Sequence, residues 1–160
     1  MTIKIGDSIP VAKLMMATSD GPKEVTTEEF FGGKTVVLFG VPGAFTPTCS
    51  AKHLPSFVNH ISAIKAKGVD AVACMAVNDV FVMGAWGKDQ GVGENVAMLA
   101  DGSAAFTKAM GLEFDLTARG LGMRAQRFAL VAKNGVVTHV AVEAPGAFEV
   151  SSAEAVLAAL

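Results

Sequence analysis

Two apolar runs, at residues 34–41 and 69–77, bracket one long helical pattern at residues 47–67. A strand, a helix and a second strand in that order make two parallel strands joined by a right-handed crossover. The chain is thereby excluded from all-helical bundles and from purely antiparallel sandwiches. Thr35-Val36-Val37-Leu38-Phe39 is apolar on both faces of the strand, which predicts a central position in a covered sheet. In the helix, Leu54, Phe57, Val58, Ile61 and Ile64 recur at helical spacing and Gly68 supplies the stop. Pro55 lies inside the pattern and predicts a kink.

The flanking segments extend the same plan. The opening through Thr18 reads as extended, interrupted by Pro10, and residues 25–33 read as a short capped helix closed by Gly32-Gly33. Asn78-Asp79 opens a helix through Trp86 that ends near Gly87. Residues 96–99 form a third strand, and residues 103–110 a helix stopped by Gly111. Residues 128–142 form a hairpin about Asn134-Gly135, a pair that favours a type I′ turn. Ser151-Ser152-Ala153-Glu154 caps a last helix to Leu160. The expected fold is α/β, a thioredoxin-like plan with a central mixed sheet flanked by helices. One domain over residues 1–160 is expected, since 51% hydrophobic and 18% charged residues are enough to fill a core.

With a net charge of -2 and no basic stripe, nucleic acid is not an expected partner. The first residues lack the apolar segment of a signal peptide, no stretch approaches the ~20 residues of a membrane span, and Leu157-Ala158-Ala159-Leu160 is not a peroxisomal address. A cytoplasmic location without membrane partners is expected. Two cysteines suit a reducing compartment.

One of them, Cys49, follows the first strand in Val41-Pro42-Gly43-Ala44-Phe45-Thr46-Pro47-Thr48-Cys49-Ser50. Pro47 suits the first helical position. That makes Thr46 the N-cap, with Thr48 as the alternative, and Cys49 the third helical residue. An N-cap hydroxyl accepts from the N–H at that position and is able to donate to a nearby anion. The thiolate is the nucleophilic form of cysteine. Activating a thiol by two to three units takes about 3–4 kcal/mol, whereas a helix N-terminus supplies about 0.3–1 and at best about 2. A cation or further hydrogen bonds must contribute the rest. The arginines are Arg119, Arg124 and Arg127. In the strand alternation Arg127 shares a face with Ala129 and Val131, where an unpaired guanidinium is costly. The plainer alternatives are a packed thiol and a strand-edge arginine. Cys49 and His53, one helical turn apart with His60 two turns on, also have the spacing of a metal site or a cysteine hydrolase. No second cysteine completes a zinc set and no orienting pattern supports a catalytic base. His53 is read as a polar helix residue and His139 as an ordinary hairpin residue.

Pro42, Thr46 and Cys49 match Pro-x-x-x-Thr-x-x-Cys, and the loop from Gly40 to Ser50 resembles the peroxiredoxins, in particular the peroxiredoxin 5 (type II) subfamily. The likeness continues through His53-Leu54-Pro55, Val77-Asn78-Asp79, Phe81-Val82, Ala85-Trp86, Leu99-Ala100-Asp101-Gly102 and Arg124-Ala125-Gln126-Arg127-Phe128. The resemblance implies a thiol peroxidase in which Cys49 attacks the peroxide O–O bond and becomes a sulfenic acid. It implies that Thr46 hydrogen-bonds thiolate and peroxide, that Pro42 shields the site, that Arg127 stabilises the thiolate and polarises the peroxide, and that N–H groups near Gly43 and Cys49 hold substrate oxygens. No metal or flavin cofactor is required.

Some members resolve the sulfenate with a C-terminal cysteine. The matching stretch here, residues 146–152, has none, and the chain has no tyrosine for the Tyr-Phe tail of oxidation-sensitive members. Cys74 has the spacing of the second thiol of plant type II enzymes. It lies within an apolar strand, so a structural thiol and a possible resolving thiol both stand. A one-cysteine cycle is expected, with hydrogen peroxide or an organic hydroperoxide as substrate and glutathione/glutaredoxin or thioredoxin as reductant. A peroxide sensor using the same cysteine is the alternative. Phe45, Phe81, Val82 and Trp86 are candidates for either core or subunit interface, and a homodimer is expected.

Overall fold

A computed structural model describes residues 1–160. Its centre is a seven-stranded mixed sheet in the order β2-β1-β5-β4-β3-β8-β9. The strands are β1 (Lys13–Thr18), β2 (Gly21–Thr26), β3 (Thr35–Gly40), β4 (Ala71–Ala76), β5 (Ala97–Ala100), β8 (Phe128–Lys133) and β9 (Val136–Val142). β3, β4 and β5 are parallel, while β1, β8 and β9 run antiparallel to their neighbours. β3 sits between β4 and β8 with five successive buried residues, as its two-sided apolar pattern requires.

The helices are α1 (Thr27–Phe31), α2 (Leu54–Ala66), α3 (Val80–Asp89), α4 (Ala105–Ala109) and α5 (Ala153–Ala159). One sheet face, with Val37, Phe39, Cys74, Ala129 and Val131, packs against Leu54 and Phe57 of α2, Met83 and Trp86 of α3 and Val156 of α5. The other, with Leu38, Met75, Leu99 and Leu130, packs against Phe30 and Phe31 of α1 and Phe106 of α4. The alternation of Phe128, Leu130 and Ala132 against Ala129 and Val131 is observed as expected. No helix is long and apolar enough to cross a membrane.

Local signals explain several boundaries. Thr26 and Glu29 form a reciprocal capping box at α1. Asp79 Oδ1 accepts from Val82 N–H at the start of α3. That helix runs to Asp89, past its expected end near Gly87, and Gly87 sits under Met98, whose Cγ is 2.8 Å from where a Cβ would lie. Its small size serves packing rather than termination. Asn134 and Gly135 take φ 47 and 75 at the β8–β9 turn.

Three features differ from the sequence-based expectation. The extended opening forms a strand at Lys13–Thr18, which turns into the unforeseen β2, so that Val25 and Thr26 end a strand rather than open the helix, and β6 (Glu113–Leu116) pairs with β7 (Gly122–Ala125) in a separate ribbon. The helix expected at residues 47–67 is continuous but contains a π turn at Cys49–His53, closed by Leu54 N–H donating to Cys49 O. Pro55 follows directly at the start of α2. Proline has no N–H to give and its ring crowds the carbonyl four residues back. A widened turn accommodates both conditions.

Candidate active site

β3 ends at Gly40, where a Cβ would lie 2.1 Å from the Phe128 ring. Only glycine lets β3 and β8 approach this closely at the edge of the site. The chain then runs through Val41 and the half-buried Pro42 into the loop that carries Cys49. Ala44 N–H donates to Asn78 Oδ1 at 2.9 Å, tying this loop to the β4–α3 turn. The π turn is tied to α3 by the buried Trp86, whose Nε1–H donates to Ser50 Oγ at 2.9 Å.

Cys49 is 0% exposed. Arg127, the residue before β8, donates from Nη2 to Cys49 Sγ at 3.1 Å. The guanidinium beside the thiol is therefore the one that the strand alternation singled out. Its other terminal nitrogen, Nη1, lies 3.0 Å from His53 Nδ1. His53 Nε2 lies 2.9 Å from the Ser151 carbonyl. A carbonyl only accepts, so Nε2 carries the proton and the Nδ1 lone pair receives the guanidinium.

This corrects the reading of His53 as a polar helix residue. It is fully buried, boxed by the rings of Phe39, Phe57 and Phe148. Burial, followed by the Arg127 charge, lowers its pKa to about 3. A neutral imidazole with both nitrogens engaged is no general base for a hydrolase. A guanidinium bridging Cys49 and His53 also puts a fixed cation where a ligand pair would have to converge. No three His, Cys, Asp or Glu side chains gather into a metal-binding group.

Thr46 occupies the N-cap position by its backbone, its carbonyl accepting from Ser50 N–H. Its hydroxyl does not cap the Cys49 N–H, as expected from the sequence, but donates to Gly43 O at 2.6 Å. That bond closes the loop on itself and leaves the Thr46 oxygen lone pairs as acceptors. The buried Gly43 has no room for a side chain, because a Cβ would meet Arg124 Nη1 at 2.8 Å and Thr46 Cγ2 at 3.2 Å. Arg124 is a second guanidinium beside the loop. It donates from Nε to Leu121 O at 2.8 Å and from Nη1 to Pro42 O at 3.4 Å.

Cys74 lies in β4, on the same apolar face as Cys49, and both are free thiols. Burial pushes the Cys74 thiol well above the ordinary range; Cys49 adds to this and Arg127 opposes it. Of the aromatic candidates, Trp86 is core, whereas Phe45 and Phe81 are 54% and 74% exposed. Four residues around the site escaped sequence reasoning in their roles: His53, Arg124, Ser151 and Glu143. For His53 a signal existed, since it stands four residues before Phe57 on the buried stripe of the helix.

The Redoxin family model matches residues 4–157. The chain is 50% identical over 164 residues to "Peroxiredoxin-2E-2, chloroplastic" of Oryza sativa subsp. japonica, covering 99% of this chain and 73% of that protein. It is similar to reduced Prx3 in complex with hydrogen peroxide from Vibrio vulnificus, with a TM-score of 0.94 and 52% identity over 99% of each chain. It is also similar to peroxiredoxin 5 from Alvinella pompejana, with a TM-score of 0.87 and 32% identity over 98% of this chain and 97% of that one.

Proposed function

Since the chain belongs to the peroxiredoxin family, on its type II (peroxiredoxin 5) side, and is a thiol peroxidase, we propose that Cys49 is its peroxidatic residue and Arg127 its activating cation. The single observation that carries this is the 3.1 Å bond from Arg127 Nη2 to Cys49 Sγ. A guanidinium directed at sulfur places a fixed donor where negative charge is used in the reaction. The thiolate attacks the terminal oxygen of the peroxide, the S–O bond forms as the O–O bond breaks, and sulfur is oxidised by two electrons to the sulfenic acid. The leaving alkoxide or hydroxide takes up a proton and departs as alcohol or water. Negative charge spreads along S–O–O in the transition state, where fixed donors are most effective.

In this reading Arg127 and the N–H groups of Gly43 and Cys49 hold the peroxide oxygens. Thr46, its proton committed to Gly43 O, accepts from the peroxide O–H, and Pro42 screens the site from water. The solved Vibrio vulnificus relative holds hydrogen peroxide, which supports hydrogen peroxide as a substrate here, with organic hydroperoxides as the second class.

Regeneration comes from an external thiol, glutathione with glutaredoxin or thioredoxin, and Cys74 remains structural. The support is its place inside the sheet between β3 and β5 and its raised pKa, which disfavours a nucleophilic thiolate. The functional unit is a homodimer of single-domain chains. Exposed Phe45 and Phe81 support this, because the Ala44–Asn78 bond brings the Phe45 loop against the turn that opens α3. A cytoplasmic location suits two free thiols, as would another reducing compartment such as the one that the rice relative's name gives. A donor panel tests the proposed cycle. Peroxide consumption is expected with glutathione plus glutaredoxin or with thioredoxin, and none by Cys49→Ser. Turnover by Cys49→Ser at the wild-type rate overturns the assignment.

A further inference from the structure

Glu143 is a buried carboxylate just beyond β9 without a cationic partner. Its Oε2 accepts four hydrogen bonds: from the N–H groups of Glu149, Val150 and Ser151 at 2.8, 2.9 and 2.8 Å, and from the Ser151 hydroxyl at 2.7 Å. Three successive backbone N–H groups converging on one anion form a nest. Burial by itself would raise the Glu143 pKa, but these donors outweigh it and hold the carboxyl below its ordinary range.

The nest has a second face. The Ser151 carbonyl accepts from His53 Nε2, His53 Nδ1 receives Arg127 Nη1, and Arg127 Nη2 reaches Cys49 Sγ. Meanwhile Glu143 N–H donates to the Arg127 carbonyl at 2.9 Å. These bonds form a closed ring. It runs from the Arg127 backbone to Glu143, through the Glu143 carboxylate to Ser151, through Ser151 to His53, and back to the Arg127 guanidinium.

We propose that Glu143 is a positioning residue for peroxide reduction: by seating Ser151 it selects the His53 tautomer that holds Arg127 on the Cys49 sulfur. The tautomer is the critical link. If Ser151 moved away, the proton could shift to Nδ1, where it would face a guanidinium N–H, donor against donor. Arg127 would then lose its anchor and swing among rotamers, and the sulfur would lose its fixed partner. A long arginine held only at its reactive end pays the entropy of ordering that end alone. The groups able to titrate or carry charge around the ring are Cys49, His53, Arg127 and Glu143 itself, with Cys74 of β4 behind the sulfur and Arg124 beside Pro42.

This inference rests on the peroxidase reading, and its test separates the two. Wild type, Glu143→Gln and Glu143→Ala, all reduced, are mixed with hydrogen peroxide without reductant, and oxidation of Cys49 is followed by stopped flow against pH. Imidazole 15N shifts of His53 are recorded in parallel. Glu143→Ala is expected to react about ten-fold more slowly at pH 7, a loss like that of removing the hydrogen-bond partner behind a metal-bound histidine. Its rate should develop at higher pH, and the His53 shifts should leave the single Nε2–H pattern. Glu143→Gln keeps an acceptor oxygen and is expected to recover part of both. A folded Glu143→Ala variant with wild-type rate, pH profile and imidazole shifts overturns the proposal. If Glu143→Ala does not fold, Ser151→Ala, which removes one of the four donors, should move rate and shifts in the same direction by less, and no movement in either overturns it. A wild-type protein that does not react with peroxide contradicts the peroxidase reading instead, while its imidazole shifts still report on the ring.

Discussion

At the scale of single residues, the site is a set of buried polar groups in which each proton has one place to go. His53 is neutral because burial and Arg127 hold its pKa near 3, against 6.5 for an ordinary histidine. Glu143 is ionised because four donors outweigh its burial. Both shifts are downward, so the unfolded chain binds more protons than the folded one as pH falls. Stability associated with His53 is full above about 6.5 and declines from there towards 3. That associated with Glu143 is present above its ordinary 4.5 and lost as pH falls through its lower folded value. Thermal melting should therefore show a midpoint that drops on acidification below pH 6.5, before ordinary carboxylates titrate. A His53→Gln variant should lose the part of that drop between pH 6.5 and 4.5, and a wild-type midpoint that is flat over that interval contradicts the assignment of a neutral, buried His53.

At the scale of elements, the site depends on a π turn fastened at both ends. Trp86 holds Ser50 from α3, and His53 is held from the Ser151 side. Cys74 is different, lying within the β4 ladder between Phe39 of β3 and Met98 of β5. Cys74→Ser should keep both the peroxide reaction and turnover with an external thiol. It should lose about 1–3 kcal/mol of stability, the cost of a hydroxyl buried without a partner. Loss of reductant-driven turnover with peroxide reactivity intact would make Cys74 the resolving thiol. The sequence carried much at this scale. The two-sided apolar run placed β3 centrally, and period-two alternation put Arg127 on the face of Ala129 and Val131, which is the face of Cys49. What stayed illegible has physical reasons. β2 is Gly-Pro-Lys-Glu-Val-Thr, an edge strand with proline and charge, whose pairing comes from the hairpin with β1 rather than from its own pattern. Glu143 looks like a solvated strand-end carboxylate, because its partners are backbone N–H groups that no side-chain pattern records. The Thr46 hydroxyl donates to Gly43 O rather than capping Cys49 N–H, a backbone partner that no side-chain pattern records.

At the scale of the whole molecule, the mixed sheet gathers into one place residues separated by most of the chain. The loop after β3 brings Cys49 and Thr46, the residue leading into β8 is Arg127, and the segment before α5 brings Ser151. On the outside, Phe45 and Phe81 leave an aromatic surface that a second copy is proposed to cover. Sedimentation at micromolar concentration should give a dimer, and Phe81→Asp should shift it to monomer. A monomeric wild type removes the proposed interface without touching the chemistry. The chemistry itself stands on the guanidinium at the sulfur. The most direct test is a stopped-flow comparison of reduced wild type and Arg127→Gln with hydrogen peroxide at pH 7, with melting curves to show that both are folded. The variant is predicted to oxidise Cys49 about 10²–10³-fold more slowly, the cost of losing one fixed donor to developing negative charge. An Arg127→Gln protein that is folded and as fast as wild type would contradict the account.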